Sequence, residues 1–461
     1  MKTKICSAVI ALALANVEVA ADASERPVLA GFCEDAAKVS AGNFTPELQR
    51  RFYAAAVETA IRKMREGEEK LRNHPPARRI LPRISTGGGF DGLFLWDTCF
   101  CVMWARYEKD VFPIFGSLDN FYALQEPDGF ICREFSYDGT PAWTKSHPVS
   151  WNPPLLSWAE WELYKSGVSD VKRLKKVYPA LKRFYVCCEQ TFRREDGLYF
   201  GDMLGGGMDD LPRYPKTDWN PDEGIPITRD CLIKYTDWYP GVTKEKAYRL
   251  NRQMGWIDMS SQMALNALCM ARIARRIGEK DEAATFKAKH AELARVINEK
   301  CWDEERGFYF DYHNGGVVPR YTVAGFWPLL ARIVPSNRVE RMVAVLKDEK
   351  IFNRPVPLPA LGACEPEYDP ENGYWRGSSW PCTTYMVLQG LKANGHGDLA
   401  RELARRYYNA NLNLYLKTGT IWENISPEQC ATPKSRACGD FTGWGALAPI
   451  AIYHEFIKEE R

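Results

Sequence analysis

The stretch MSSQMALNALCMARIARRIG (259–278), then Glu279, then KDEAATFKAKHAELARVINEK (280–300), decides the fold. In its first half apolar residues fall on nearly every side: Met259, Met263, Leu265, Leu268, Met270, Ile273 and Ile277, with alanines between them. A helix that is apolar all round is buried on all sides. The second half keeps one stripe, Phe286, His290, Leu293 and Ile297, as a helix half open to water does. Gly278-Glu279 leaves room only for a tight turn, so the two helices lie antiparallel, an inner one beside an outer one.

The same pairing recurs along the chain. Apolar periodicity and stop signals predict twelve helices: 48–72, 97–108, 113–125, 154–165, 170–193, 259–278, 280–300, 322–333, 336–347, 378–395, 397–415 and 441–459. Pro179 is expected to kink or split the fifth. Connections after odd-numbered helices are long (73–96, 126–153, 194–258, 301–321, 348–377, 416–440), whereas most of the others are a few residues. Helix five carries a single stripe through Leu174, Val177, Leu181, Phe184 and Cys188, as helix seven does, while helix six between them is apolar throughout. Six such hairpins closed into a ring form an all-α (α/α)6 barrel, with inner helices along the axis and outer helices around them. A two-layer solenoid would need a repeated signature, and none occurs at a fixed period. The barrel brings all six long loops out at one end, where a site would be built.

The chain of 461 residues divides into a signal peptide (1–21), a lead-in (22–47) and one barrel domain (48–461). Lys2 and Lys4 precede an apolar run from Ile5 to Ala15, and Ala20, Ala21 and Ala23 offer cleavage points. That run is shorter than the roughly 20 residues a membrane span needs, so the expectation is export to the periplasm or medium without membrane insertion. A net charge of +2 with interspersed signs excludes nucleic acid as a partner. Of 14 cysteines, 13 remain once Cys6 is removed with the signal, an odd number. Cys99, Cys101, Cys187, Cys188, Cys269 and Cys382 fall on buried helical faces, and Cys430 and Cys438 flank a rim loop as the candidate disulfide. No zinc spacing occurs, and no cofactor or metal is expected, although spare rim carboxylates leave room for calcium.

With 15 Trp and 22 Tyr, the chain holds more aromatics than packing alone asks for, and flat aromatic faces suit the C–H surfaces of sugars. They gather in the long loops. The first holds Gly87-Gly88-Gly89 and ends Trp96-Asp97, where the aspartate also reads as an N-cap. The second carries Gln125, Arg133, Glu134, Trp143, His147, Trp151 and Asn152, and the third Gly205-Gly206-Gly207-Met208-Asp209-Asp210 followed by Arg213. The fourth, 302–312, reads as a short β-hairpin around Gly307. The fifth ends Tyr374-Trp375-Arg376-Gly377, and the sixth contains Trp422-Glu423-Asn424 and Glu428. Carboxylates on separate rim loops among Trp, Tyr and Arg are the equipment of glycoside hydrolysis, one giving a proton to the leaving oxygen and the other attacking or activating water. The residues themselves leave Asp209 against Asp210, and Glu423 against Glu428, undecided.

The motifs L-W-D-T-C-F (95–100), N-P-P-L-L (152–156), G-M-D-D-L-P-R (207–213), Y-W-R-G-S-S-W (374–380) and W-E-N-I-S-P-E (422–428) resemble glycoside hydrolase family 63. The likeness is strongest to compact bacterial members related to mannosylglycerate and glucosylglycerate hydrolases, and more distant to trehalases. It implies an inverting α-glycosidase with Asp209 as general acid and Glu423 as general base. It further implies that Trp96, Asp97, Gln125, Arg213, Tyr374 and Trp375 line the sugar subsite. Arg376 and Trp422, in the same two motifs, complete the candidate substrate-binding set. Ile425 stands where relatives often carry an aromatic. The compact relatives act on small charged solutes inside cells, so export points to an oligosaccharide or glycan-derived α-glucoside or α-mannoside. The alternatives are a sugar epimerase or polysaccharide lyase using His147, or a carbohydrate-binding protein without catalysis; the pair Asp209 and Glu423 argues against the last.

Overall fold

The computed structural model describes residues 42, 44–76, 78–143, 145, 151–202, 205–213, 253–371, 373–428 and 437–458. The signal peptide, nearly all of the lead-in, His147 and Cys430 lie outside the described residues, and with Cys430 the proposed disulfide.

Among the described residues twelve helices follow one another: α1 (Pro46–Asn73), α2 (Leu95–Ala105), α3 (Ile114–Ala123), α4 (Leu156–Lys165), α5 (Val171–Phe192), α6 (Ile257–Ile277), α7 (Lys280–Lys300), α8 (Trp327–Leu330), α9 (Ser336–Lys347), α10 (Pro381–Ala393), α11 (Gly397–Thr418) and α12 (Ala448–Ile457). Each corresponds to a predicted one. The quoted hairpin is α6 and α7, broken by Gly278 in the left-handed conformation, with its N–H closing on Ala274 O. Asp170 caps α5 through the Arg173 N–H. Two helices differ in detail. The eighth opens as a 3-10 turn, Val323–Phe326, because Pro328 follows one residue into α8 and supplies no N–H. The twelfth opens as a 3-10 turn, Gly445–Leu447, and continues with π-type bonding. α5 is not split at Pro179.

The ring closes. α2 packs on α4, α4 on α6, α6 on α8, α8 on α10, and the 3-10 turn opening α12 touches both α10 and α2. α5 and α7 lie against α6, α11 against α10 and α12, and α1 against α11 and α12. This is the (α/α)6 toroid. α2, α6 and α10 are buried along almost their whole length, and α7 buries only Phe286, Leu293, Val296 and Ile297.

Short strands and bridges stitch the long loops into one rim. β1 (Leu93–Phe94) pairs with β2 (Glu134–Phe135), tying the first loop to the second. β3 (Met254–Gly255) pairs with β6 (Asp311–His313), which pairs with β7 (Gly316–Val318), joining the third and fourth. β4 (Trp302–Asp303) and β5 (Phe308–Tyr309) form the predicted hairpin. Bridges Thr322–Leu361, Ser379–Ile425 and Gly87–Phe441 link the fourth loop to the fifth, the fifth to the sixth and the sixth back to the first. The N-termini of the inner helices therefore converge on that rim.

Candidate active site

The glycine turn of the third loop sits on the start of α2. Gly205 donates its N–H to Asp202 Oδ1 at 2.8 Å. Gly207 has φ +79°, and a Cβ there would stand 3.3 Å from the Trp96 indole, so the turn lies directly on that ring. Asn152 holds the two together, accepting the Trp96 N–H at 3.0 Å and donating to Gly205 O at 2.6 Å. The two aspartates that follow then part company. Asp210 is buried and accepts the Trp375 N–H at 2.8 Å and Arg376 Nε at 3.4 Å. Burial lifts its pKa to about 6 against those two donors. Asp209 stays half-buried and lies within electrostatic reach of Asp97, Tyr374 and Glu423.

Glu423 approaches from the opposite side on a tightly held loop. Its N–H and the Cys438 carbonyl bond at 3.0 Å, its own carbonyl accepts Trp444 Nε1 at 2.9 Å, and Ile425 exchanges two bonds with Ser379. The buried carboxylate accepts the Tyr374 hydroxyl at 3.2 Å through Oε1 and the Cys438 N–H at 3.2 Å through Oε2. Burial above all, then repulsion from Asp209 and Asp97, pushes Glu423 up to about 8 despite these donors. Tyr374 is held at φ +55°, a left-handed conformation that costs about 1–3 kcal/mol in a non-glycine residue. Burial and the facing Glu423 and Asp209 keep its phenol protonated.

Asp97 completes the group. It is the third residue of α2, inside the first turn, and Phe94 is the N-cap residue, so the capping expectation is not met. Burial raises Asp97 to about 7, opposed by its own backbone N–H and by Arg133, and reinforced by Glu134 and Asp209. Arg133 pairs with Glu134 at 3.3 Å and its carbonyl accepts the Leu95 N–H at 2.9 Å. Arg133 and Glu134 of the second loop thus join the site; in sequence their signal is a charged pair directly after the apolar run Phe130-Ile131-Cys132. Burial and mutual repulsion raise Asp97 to about 7 and Glu423 to about 8, so this pair retains protons near neutrality. That is the condition for acid–base work at a glycosidic oxygen.

Other expected site residues are committed elsewhere. Arg213 is 1% exposed and spends four hydrogen bonds of 2.6–2.9 Å on Asp258 and Asp311, lying 4.2 Å over the Trp256 ring. It clamps the third loop to α6 and β6, a structural role in place of the expected sugar contact. Gln125 gives its amide N–H groups to Gly129 O and Ala180 O, both at 3.0 Å, and its carbonyl to Arg183 at 2.8 Å. That binds it to the outer helix α5 instead of the cup. Trp422 donates back to Thr418 of α11 at 2.9 Å. Glu428 is held by Arg354 at 2.6 and 3.0 Å and by Tyr368 at 2.8 Å, which distinguishes it from Glu423.

Tryptophans mark the rim end of the inner helices: Trp96 in α2, Trp256 before α6, Trp327 opening α8, Trp380 before α10 and Trp444 before α12. Trp375 stacks on Trp380 at 3.7 Å, Trp96 lies 6.0 Å from Trp327, and Trp380 lies 5.9 Å from Trp444. The indole N–H groups of Trp96, Trp327 and Trp380 are buried without a hydrogen-bond partner among the described residues. Also among these residues, no group of three or more His, Cys, Asp or Glu is disposed to hold a metal ion, and no helix is long and apolar enough to cross a membrane.

Residues 93–440 match the family model described as the mannosylglycerate hydrolase MGH1-like glycoside hydrolase domain. An uncharacterized protein of Borreliella burgdorferi is 28% identical over 72% of this chain and 63% of its own length. A probable mannosyl-oligosaccharide glucosidase of Schizosaccharomyces pombe is 25% identical over 47% of this chain and 28% of its own length. The mannosylglycerate hydrolase MGH1 of Selaginella moellendorffii is 30% identical over 29% and 26% respectively. The chain thus aligns with less than two thirds of each of these relatives. Among solved structures, the GH63 mannosylglycerate hydrolase of Thermus thermophilus in complex with glucose superposes with a TM-score of 0.65 at 20% identity, over 87% of this chain and 99% of that one. Neutral trehalase of Saccharomyces cerevisiae does so at 0.56 and 16%, over 80% and 73%.

Proposed function

This chain belongs to the MGH1-like glycoside hydrolase family, and from that premise we propose that it is an inverting α-glycosidase acting on an α-glucoside or α-mannoside. Asp209 gives its proton to the leaving oxygen, while Glu423 takes a proton from the water that attacks the opposite face of the sugar. The observation that carries the reading is the approach of the third and sixth rim loops: Tyr374 donates its hydroxyl to Glu423 at 3.2 Å, and Asp209 lies within electrostatic reach of both. Tyr374 and the Cys438 N–H orient Glu423, and their hydrogen bonds grow stronger as it ionises. Asp97 and Trp96 form the wall against which the sugar hydroxyls and ring face lie, with Trp375 and Arg376 on the side of the fifth loop. Burial pushes Glu423 up to about 8, so the base must first lose its proton. This sets the acid limb of the activity close to neutrality.

The substrate is an oligosaccharide or small glycoside met outside the cytoplasm. The amino-terminal export pattern supports that choice, as does a relative named as a mannosyl-oligosaccharide glucosidase. A hydrolysis screen of α-linked glucosides and mannosides with the purified protein tests the reading. Asp209→Asn and Glu423→Gln should each lower kcat by about two to four orders of magnitude with KM little changed. Wild-type turnover in either variant overturns the assignment.

A further inference from the structure

A second concavity, of about 460 Å³, lies where α1 runs into the first rim loop, lined by Leu71, Arg72, Pro76, Arg78, Arg79 and Ile80. The three arginines are exposed, while Leu71, Pro76 and Ile80 are half-buried and make an apolar floor. None of these arginines has an ion-pair partner among the described residues, although Glu68 and Glu69 stand one turn earlier on the same helix. Nearby cations do pair: Arg62 and Lys63 with Glu66, Lys70 with Asp91.

The backbone that follows the pocket, residues 81–84, is fixed against α3. Asn120 of α3 takes the Leu81 N–H at 2.8 Å and donates to the Leu81 carbonyl at 3.1 Å. Ser117 Oγ accepts the Ile84 N–H at 2.9 Å. Pro82 O approaches Gly116 so closely that a Cβ there would stand 2.2 Å away. A shallow, open, partly apolar hollow rimmed by arginine forks suits a discrete ligand that carries an oxyanion, since guanidinium binds carboxylate, sulfate and phosphate bidentately. A lipid surface would ask for a convex basic face with apolar residues projecting from it.

We propose that this pocket is an anion subsite for an acidic sugar, holding a carboxylate, sulfate or phosphate on Arg72, Arg78 and Arg79 with the sugar face on Pro76 and Ile80. It rests on the glycosidase reading only for the choice of a sugar as the carrier.

The test is calorimetric titration of the full chain with sucrose octasulfate, with inorganic sulfate and phosphatidylglycerol vesicles titrated in parallel. Wild type should bind the sulfated sugar, more weakly as NaCl rises from 0.05 to 0.5 M. It should bind inorganic sulfate at least about tenfold less tightly, since that ion lacks the sugar face. Arg72→Ala/Arg78→Ala/Arg79→Ala should weaken sugar binding by about tenfold or more, and the triple Lys variant by an intermediate factor because it keeps charge without the fork. All three positions are exposed, so the variants should keep the wild-type melting temperature and turn over neutral glycosides as wild type does. Equal binding by wild type and the triple Ala variant, sulfate as tight as the sugar, or binding to vesicles alone would each overturn the proposal. Because binding is read without turnover, its failure is separable from failure of the hydrolase assignment.

Discussion

Burial, reinforced by Asp209 and Asp97, opposes ionisation of Glu423 more than its two hydrogen-bond donors favour it, and two measurements follow from that. Its folded pKa is about 8 against an ordinary 4.5, so the native state binds more protons than the unfolded chain between those values. Stability contributed at this position therefore falls as pH rises through the window. Glu423→Gln, which removes the charge, should raise Tm by about 1–3 °C at pH 8 and leave it unchanged at pH 4. A lower Tm at pH 8 would contradict the burial argument. In wild type, kcat/KM should fall as pH drops through about 7 to 8, because the proposed base is then protonated. An acid limb near pH 4 would mean an ordinary, solvated carboxylate. Gly207 gives a third test. Alanine there must adopt φ +79° and push on Trp96, so Gly207→Ala should cost about 1–2 kcal/mol and lower kcat more than it raises KM.

At the scale of elements, the hairpins were legible and the clamps between loops were not. Helix periodicity is local, and a two-residue turn such as Gly278-Glu279 allows only one packing, so α6 and α7 could be read from 42 consecutive residues. The rim position of Asp209 and Glu423 followed from loop alternation. What Arg213 and Gln125 touch did not, since the partners of the first stand 45 and 98 residues away and two of the three partners of the second stand 55 and 58 away. A motif gives a residue type and a loop, and only the packed structure shows whether the side chain turns to the axis or to a neighbouring element. Asp209 and Asp210 make the point most closely, adjacent in sequence with one buried on Trp375 and Arg376 and the other at the cup. The Arg213 assignment is testable. Arg213→Met strands two buried carboxylates and should cost about 3–5 kcal/mol in a denaturant titration. An unchanged midpoint with a raised KM would restore the substrate contact that the motif implied.

For the whole molecule the decisive event is closure of the ring, where α12 meets α2 and α10. Glu455 of α12 gathers Arg106 at 2.7 Å, Tyr107 at 2.9 Å, Tyr385 at 3.0 Å and Gln389, away from the rim. The Arg106 and Glu455 side chains are 8% and 10% exposed, so Glu455→Ala leaves a desolvated cation whose remaining carboxylate among the described residues is Glu162 at 3.7 Å, beside the Tyr385 hydroxyl at 3.1 Å. That substitution should cost about 3–5 kcal/mol, and Arg106→Met combined with Glu455→Leu should recover most of it. Equal stability of Glu455→Ala and wild type would show that this seam does not hold the ring. Closure matters because it brings the third and sixth loops face to face, and the proposed hydrolysis with inversion depends on that opposition. Proton NMR of the sugar first released from an α-linked disaccharide reads it directly. The account predicts the β-anomer before mutarotation, and initial release of the α-anomer would contradict it.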